Sequence, residues 1–177
     1  VQEIDKVVPD FSILKQWTHR ENYRVIFDSA VDGLSSVSVN NKIINTTGLM
    51  LILVTTEDHI FGTFNSLAPP KPPGPNDSVY IENDPEFFVF TLRNPHNIPP
   101  MLVRRKKSQL SLRVCSNEGD TVVGAADCFS VFTTNCYVIP TFATYYDDKS
   151  GKGADLFVGS HYPSRFVLKR MFALQWV

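Results

Sequence analysis

Leu49-Met-Leu-Ile-Leu-Val54 is the stretch that decides the fold. Its apolar residues follow one another without polar alternation, which is typical of a central β-strand covered on both faces. A turn at 55–58 leads from it into Ile60-Phe-Gly-Thr-Phe64, so the two runs predict a β-hairpin. Gly62 weakens the second strand, which indicates a bulge or a neighbour too close for a side chain.

A second apolar run lies at Glu86-Phe-Phe-Val-Phe-Thr-Leu92 and predicts a second central strand. Two such strands predict facing β-layers with these apolar segments in the middle of them. The fold class that we expect is therefore mainly β (α+β), a two-sheet antiparallel β-sandwich flanked by a few short helices.

The flanking segments fit the same fold class. Tyr23 to Asp28 alternates as a half-covered strand does, and apolar residues at even positions make Ser164 to Val177 a long closing strand. Asp10 is placed to cap a helix over Phe11 to Trp17 that packs on a sheet. Leu34 to Asn45 indicates a short, poorly capped helix or an irregular crossing.

Further short strands are expected on the C-terminal side of the second apolar run. These strands are Met101–Arg105, Gln109–Cys115, Cys128–Thr133 and Cys136–Ile139, the last two forming a hairpin. Five prolines between Leu67 and Ser78 predict a long loop, because proline lacks an amide donor. Its Pro69-Pro-Lys-Pro72 matches a P-x-x-P ligand, but blocking of edge pairing is the favoured interpretation.

Length and charge bound the class of protein. A chain of 177 residues fits a single globular domain, assigned here to 17–177 and preceded by a lead-in with a short helix at 1–16. Seventeen basic and 18 acidic residues leave no overall field that would attract nucleic acid or anionic lipid. The longest apolar run is far shorter than the roughly 20 residues of a membrane-spanning helix, so no membrane span is expected.

The cysteines suggest a reducing compartment. Cys115, Cys128 and Cys136 are odd in number and form no Cys-x-x-Cys pair, which predicts an intracellular protein, cytoplasmic or nuclear. Cys115 follows Arg113 in a strand whose odd positions are candidates for exposure, so a reactive thiol is one alternative. A buried, inert thiol is the favoured one.

Groups that carry enzyme chemistry are scattered along the chain. The histidines His19, His59, His96 and His161 lie singly, without metal-ligand spacing, and neither a nucleophile elbow nor a complete phosphate-binding loop is present. Asp28 and Asp32 bracket a turn, where carboxylates more often bond the backbone than act as an acid–base pair. We therefore expect no catalytic residue, cofactor or metal site.

The strongest local charge is the run Arg104-Arg-Lys-Lys107 between two predicted strands. Arg104, Arg105, Lys106 and Lys107 form either a solvated hairpin tip, the favoured interpretation, or a patch that grips phosphates without reading bases. Arg165 and Lys169-Arg170 extend this patch only if the closing strand lies nearby. A nucleic-acid-binding regulator of the stress response is accordingly the alternative function.

The order of these motifs resembles a TLDc domain. An apolar strand runs into the turn Asp28-Ser-Ala-Val-Asp-Gly33, the hairpin carries Phe61-Gly62, and a proline-rich loop and a Phe-rich strand follow. Thr141-Phe142 and the closing strand complete a likeness that covers about residues 17 to 177. Asp28, Ser29, Asp32, Gly33, Phe61 and Gly62 are thus family-motif positions, mostly structural.

The resemblance implies an antiparallel two-sheet sandwich with no established catalytic centre, linked to oxidative-stress protection. Several members of the family bind the proton-pumping V-type ATPase, which is the partner implied here. The usual Gly-rich segment before the late strands is reduced to Gly119, Gly124 and Ala125-Ala126. On this basis we expect a non-catalytic protein-interaction domain whose partner is unidentified.

Overall fold

Strands dominate the computed structural model, which describes residues 3–177. The described residues form eleven strands in two antiparallel sheets, with a few short helices around them. The predicted fold class is therefore confirmed. No helix in this part of the chain combines the length and the apolar character needed to cross a bilayer.

The secondary structure elements follow in chain order. The helices are α1 (Phe11–Thr18), α2 (Ser29–Asp32), α3 (Ser36–Ile43) and α4 (Phe142–Tyr145), with 3-10 turns at Glu3–Lys6 and Gly153–Asp155. The strands are β1 (Tyr23–Asp28), β2 (Leu49–Thr55), β3 (Ile60–Asn65), β4 (Val79–Glu82), β5 (Phe88–Arg93), β6 (Met101–Val103), β7 (Leu110–Val114), β8 (Thr121–Ala125), β9 (Phe129–Phe132), β10 (Tyr137–Val138) and β11 (Leu168–Trp176).

The first sheet has the order β1-β11-β2-β3-β5-β6, and the second has the order β10-β9-β8-β7-β4. The predicted hairpins β2–β3 and β9–β10 are both present. The closing strand β11 inserts between β1 and β2, where Leu174 pairs with Val25 on one side and with Met50 on the other. An early strand and the last strand of the chain therefore pair at one edge of the first sheet.

The placement of the two apolar runs corrects the sequence analysis. Both β2 and β5 lie in the first sheet, separated by β3, rather than in facing layers. They are apolar on both faces because that sheet is the middle of three layers. Its inner face packs on the second sheet through residues such as Leu51 and Val89, and its outer face packs beneath the N-terminal helices through Met50 and Phe90.

The N-terminal segment supplies the third layer. Asp10 caps α1 as predicted, accepting a hydrogen bond from the Ser12 amide at 2.9 Å. Leu14 is fully buried in the outer cluster, and Trp17 packs edge-on against Phe88 with ring centroids 6.1 Å apart. Because α1 continues to Thr18, it crosses the boundary that the sequence analysis set between residues 16 and 17.

The crossing segment before β2 is a helix, and its predicted poor capping was wrong. Ser35 and Ser38 form a reciprocal capping box at the start of α3, with the Ser38 amide donating to Ser35 Oγ at 3.1 Å. Serine at the third helical position replaces the usual Glu or Gln, which hides this cap in the sequence. The proline-rich segment contains no helix or strand, as predicted, and Pro69 accepts the Asn45 amide at 2.9 Å.

Gly62 generates a first prediction. A Cβ atom at this position would lie 1.8 Å from the Leu51 carbonyl oxygen and 2.8 Å from the Phe90 ring. Backbone in the centre of a sheet moves little, so Gly62→Ala is expected to lower the free energy of unfolding by about 3 kcal/mol. Urea denaturation followed by circular dichroism measures the change.

Gly119→Ala is the matched control, because the nearest atom to its Cβ would be the Thr121 amide nitrogen at 3.9 Å. We expect this exposed substitution to leave the urea midpoint almost unchanged. Equal midpoints for Gly62→Ala and the wild type would show that the strands separate freely at this point, which contradicts the prediction.

Candidate functional site

The family-motif turn after β1 is engaged within the fold. Asp28 caps α2 through the Ala30 amide at 3.0 Å and accepts Arg170 Nε and an Arg170 terminal nitrogen at 2.9 and 2.6 Å. Ser29 Oγ accepts the Met171 amide at 2.9 Å, and Asp32 accepts the Asp28 amide at 3.0 Å. These carboxylates thus bond the backbone, as predicted, and tie β1 to β11.

Phe61 and Gly62 also lie inside the fold. Phe61 is fully buried between the sheets, with its ring centroid 5.4 Å from that of Phe129 and 5.2 Å from that of Phe157. Gly62 allows β2 and β5 to approach β3 from both sides. The Leu51 carbonyl oxygen and the Phe90 ring lie too close to Gly62 for a side chain there, as the sequence analysis predicted. Both positions serve packing.

The basic run does not form a hairpin tip. It connects β6 to β7, which belong to different sheets. The Arg105 side chain is only 7% exposed, pairs with Asp127 at 2.7 Å and donates to the Ala126 carbonyl oxygen at 2.6 Å. Arg104, Lys106 and Lys107 remain exposed, so the patch contains three available cations instead of four.

The basic run and the Asp28–Gly33 turn do not share a surface. They follow β6 and β1, the two outer strands of the first sheet. Five strand spacings of about 4.8 Å separate these strands by roughly 24 Å. Because β1 and β6 run in opposite directions, the two features also lie at opposite ends of the sheet. Lys169 and Arg170 are paired with Asp58 and Asp28 and do not extend the patch.

All three cysteines are buried and free. Burial raises the pKa of Cys115 and of Cys128, and it raises the pKa of Cys136 to about 11. The favoured interpretation of Cys115 as a buried thiol is confirmed, since the loop after β7 folds against α3, where Asn40 Nδ2 donates to the Cys115 carbonyl oxygen at 2.7 Å. A thiol held in its neutral form is a poor nucleophile.

Two of the single histidines meet at Asp155. The His161 Nδ1 atom lies 2.7 Å from the Asp155 carboxylate, and the His96 Nε2 atom lies 2.7 Å from the Asp155 carbonyl oxygen. His19 ends α1 in the left-handed conformation. Within residues 3–177, no group of three or more His, Cys, Asp and Glu side chains is arranged to hold a metal ion.

The structure assembles an exposed cluster that the sequence analysis missed. The guanidinium carbon of Arg165 lies 4.7 Å from the ring centroid of Tyr137, 5.3 Å from that of Tyr162 and 5.8 Å from that of Phe132. These residues, with Ile139 and Pro140, line a hollow of about 410 Å³ that we call the Arg165 surface. The predicted hairpin of 128–133 and 136–139 places Phe132 close to Tyr137. No local sequence pattern indicates that Tyr162 lies beside them.

Arg165 also borders a second hollow, of about 270 Å³. That hollow is lined by the turn after β2, including Glu57 and His59, and by the chain that enters β11, including Phe166 and Val167. The guanidinium therefore stands between an aromatic depression and a more polar one. A group bound at the guanidinium of Arg165 would contact both hollows.

Comparison with models of known protein families finds no match to this chain. A search of curated proteins finds no match either.

The basic run gives a second prediction. Arg105→Gln removes the ion pair with Asp127 and leaves a half-buried carboxylate without its partner, so the free energy of unfolding should fall by about 3 kcal/mol. Arg104→Gln changes an exposed residue beside it and should cost less than about 0.5 kcal/mol. Thermal and urea unfolding measure both. Equal stability of the two variants would place Arg105 in solvent and contradict the assignment.

Asp28 gives a third prediction. Its side chain is 14% exposed, and the hydrogen bonds from Arg170 hold its pKa below the usual 3.8, although burial opposes them. Asp28→Asn keeps a good helix cap but loses the charge, so we expect a loss of about 2 kcal/mol at neutral pH.

The pH dependence of this loss follows from the lowered pKa. The stabilisation that the ionised Asp28 provides is complete above the pKa of aspartate in the unfolded chain, about 4. It disappears as the pH falls through the lower pKa of Asp28 in the folded protein. The difference between wild type and Asp28→Asn should thus be constant above about pH 5 and shrink at lower pH. The control is Asp58→Asn, whose pair with Lys169 is 61% exposed on each side and should matter little. A difference that persists unchanged in acid would contradict the assigned role.

Proposed function

We propose that this chain is a non-catalytic protein-interaction domain of TLDc type. The observation that carries the proposal is the Arg165 surface, where the exposed Arg165 and Tyr162 lie beside the half-buried rings of Phe132 and Tyr137 around a hollow. Tyr and Arg are enriched at the energetic centres of protein interfaces, and aromatic rings bury a large area at little entropic cost. A surface of this composition fits a protein partner.

The motif resemblance supports the same proposal from the fold. Its opening and closing motifs meet in one sheet, where Arg170 binds Asp28 and Met171 binds Ser29. The motif positions thereby act as scaffold and leave other residues to contact a partner. By the resemblance, an intracellular role in oxidative-stress protection is proposed, and the V-type ATPase is the first partner to test.

Binding of nucleic acid by the basic run is the second proposal, and the burial of Arg105 weakens it. Three exposed cations, Arg104, Lys106 and Lys107, make few phosphate contacts, and non-specific affinity depends on the number of those contacts. Arg105 adds nothing to the charge of this patch, since Asp127 neutralises it.

An affinity experiment tests the function. Immobilised wild-type protein is incubated with purified V-type ATPase and, separately, with nuclease-treated cell extract. We expect specific, saturable recovery of a protein partner. Recovery of no partner would overturn the proposal, and turnover of a small molecule would then indicate an enzyme. Retention of duplex DNA that falls with salt and is lost on neutralising Arg104, Lys106 and Lys107 would favour the nucleic-acid alternative.

A further inference from the structure

The Arg165 surface is held in place by backbone hydrogen bonds. Tyr137 and Val138 pair with β9 at the outer edge of the second sheet. Residues 162–166 cover the free side of β10. The Tyr162 amide donates to the Val138 carbonyl oxygen at 2.8 Å, and Cys136 and Phe166 exchange two hydrogen bonds of 2.8 Å. The backbone segments that carry the rings and the guanidinium are thus held next to one another.

The guanidinium of Arg165 is available for binding. Arg165 is exposed, and no hydrogen bond or ion pair within residues 3–177 engages its N–H groups. A guanidinium presents these groups in a planar fork that binds a carboxylate through two parallel hydrogen bonds. The neighbouring rings of Tyr137, Tyr162 and Phe132 favour a cation at this position.

Arg165 lacks an acidic partner among the described residues. Arg20, Arg105 and Arg170 each form an ion pair with a carboxylate, whereas no carboxylate of residues 3–177 lies within 4.0 Å of Arg165. Glu57 borders the second hollow but forms no ion pair with Arg165 there. An acidic group of another molecule is the charge complement of this site.

The surroundings of the guanidinium favour an apolar neighbour for that acidic group. Besides Arg165, the 410 Å³ hollow is lined only by aromatic, aliphatic and proline side chains. Tyr162, one of these side chains, is 46% exposed and therefore accessible to a partner. This combination suits a peptide side chain beside a carboxylate.

Nucleic acid fits the surface less well. The exposed cations of the basic run precede β7, which β8 and β9 separate from β10 in the second sheet. A strand of nucleic acid needs a basic groove along its backbone in addition to stacking rings. One cation among three rings does not supply it.

We propose that the Arg165 surface binds an acidic segment of a protein partner, with a carboxylate on the guanidinium and an adjacent apolar side chain or proline in the aromatic hollow. This inference rests on the proposed function, since it names the docking site and the chemistry of the partner.

The test uses nuclear magnetic resonance with defined peptides. Isotope-labelled protein is titrated with a peptide that repeats Glu, Leu and Pro, with its Glu-to-Gln counterpart, and with an equally acidic Glu, Gly and Ser peptide. The Arg165 Nε–H signal and the ring signals of Tyr137 and Tyr162 should shift with the first peptide. Loss of the charge in the Gln peptide should weaken binding about tenfold or more, and loss of the apolar residues should weaken it by a similar factor.

Two variants distinguish this site from general attraction. Arg165→Gln should weaken binding of the first peptide about tenfold, and Arg165→Lys should restore little because ammonium lacks the planar fork. Arg104→Gln is the matched control, an exposed arginine 5.5 Å from the Phe88 ring at another edge, and should change nothing. The nuclear magnetic resonance spectrum of Arg165→Gln verifies that the variant is folded, if signals outside residues 132–140 and 160–167 match those of the wild type.

Several results would overturn the inference. These are shifts that are absent at Arg165, equal binding of the Gln peptide, equal binding by Arg165→Gln, or stronger binding of a single-stranded oligonucleotide at the same residues. If Arg165→Gln still recovers the partner found with the wild type, the site is wrong while the proposed function stands. If the wild type recovers no partner at all, the proposed function itself fails.

Discussion

The insertion of β11 between β1 and β2 is the contact on which the rest of the structure depends. It joins residues more than a hundred positions apart, so the chain loses much entropy before the pairing is complete. Burial on both faces offsets that loss: Met171 and Ala173 pack towards the second sheet, and Phe172 and Leu174 pack towards the helices. The ion pair between Arg170 and Asp28 then holds the edge strand in register with the centre.

This insertion also positions the candidate site. The chain enters β11 through residues 160–167, and on the way it covers β10 through Phe166 and contacts the β2–β3 turn through Val167, whose carbonyl oxygen accepts the Thr56 amide at 3.0 Å. Arg165 immediately precedes those two anchored residues. The same segment that completes the first sheet therefore brings Arg165 and Tyr162 to the aromatic hairpin of the second sheet.

Motif positions and exposed positions serve different purposes in this protein. Asp28, Ser29 and Gly62 stand in the turn and hairpin motifs of the sequence, and each is engaged in pairing or packing. The basic run drew attention because four cations are adjacent, but adjacency in sequence says nothing about where a side chain points. Arg105 is directed inward, where Asp127 and the Ala126 carbonyl oxygen compensate its charge. The number of adjacent cations in the sequence therefore did not predict how many of them are exposed.

The sequence by itself determined nine of the eleven described strands, the two hairpins, the cap of α1 and the close approach at Gly62, because each follows from local periodicity, turn chemistry or the absence of a side chain. The sequence analysis did not predict β4 and β8. The sequence also determined that β2 and β5 are covered on both faces. Only the tertiary structure decided what covers them, since a helical layer and a second sheet bury apolar residues equally well. The tertiary structure alone decided the position of β11, the burial of Arg105 and the contact of Arg165 with Tyr137. These features depend on pairing between segments that are far apart in sequence, and local sequence patterns contain no information on such pairing.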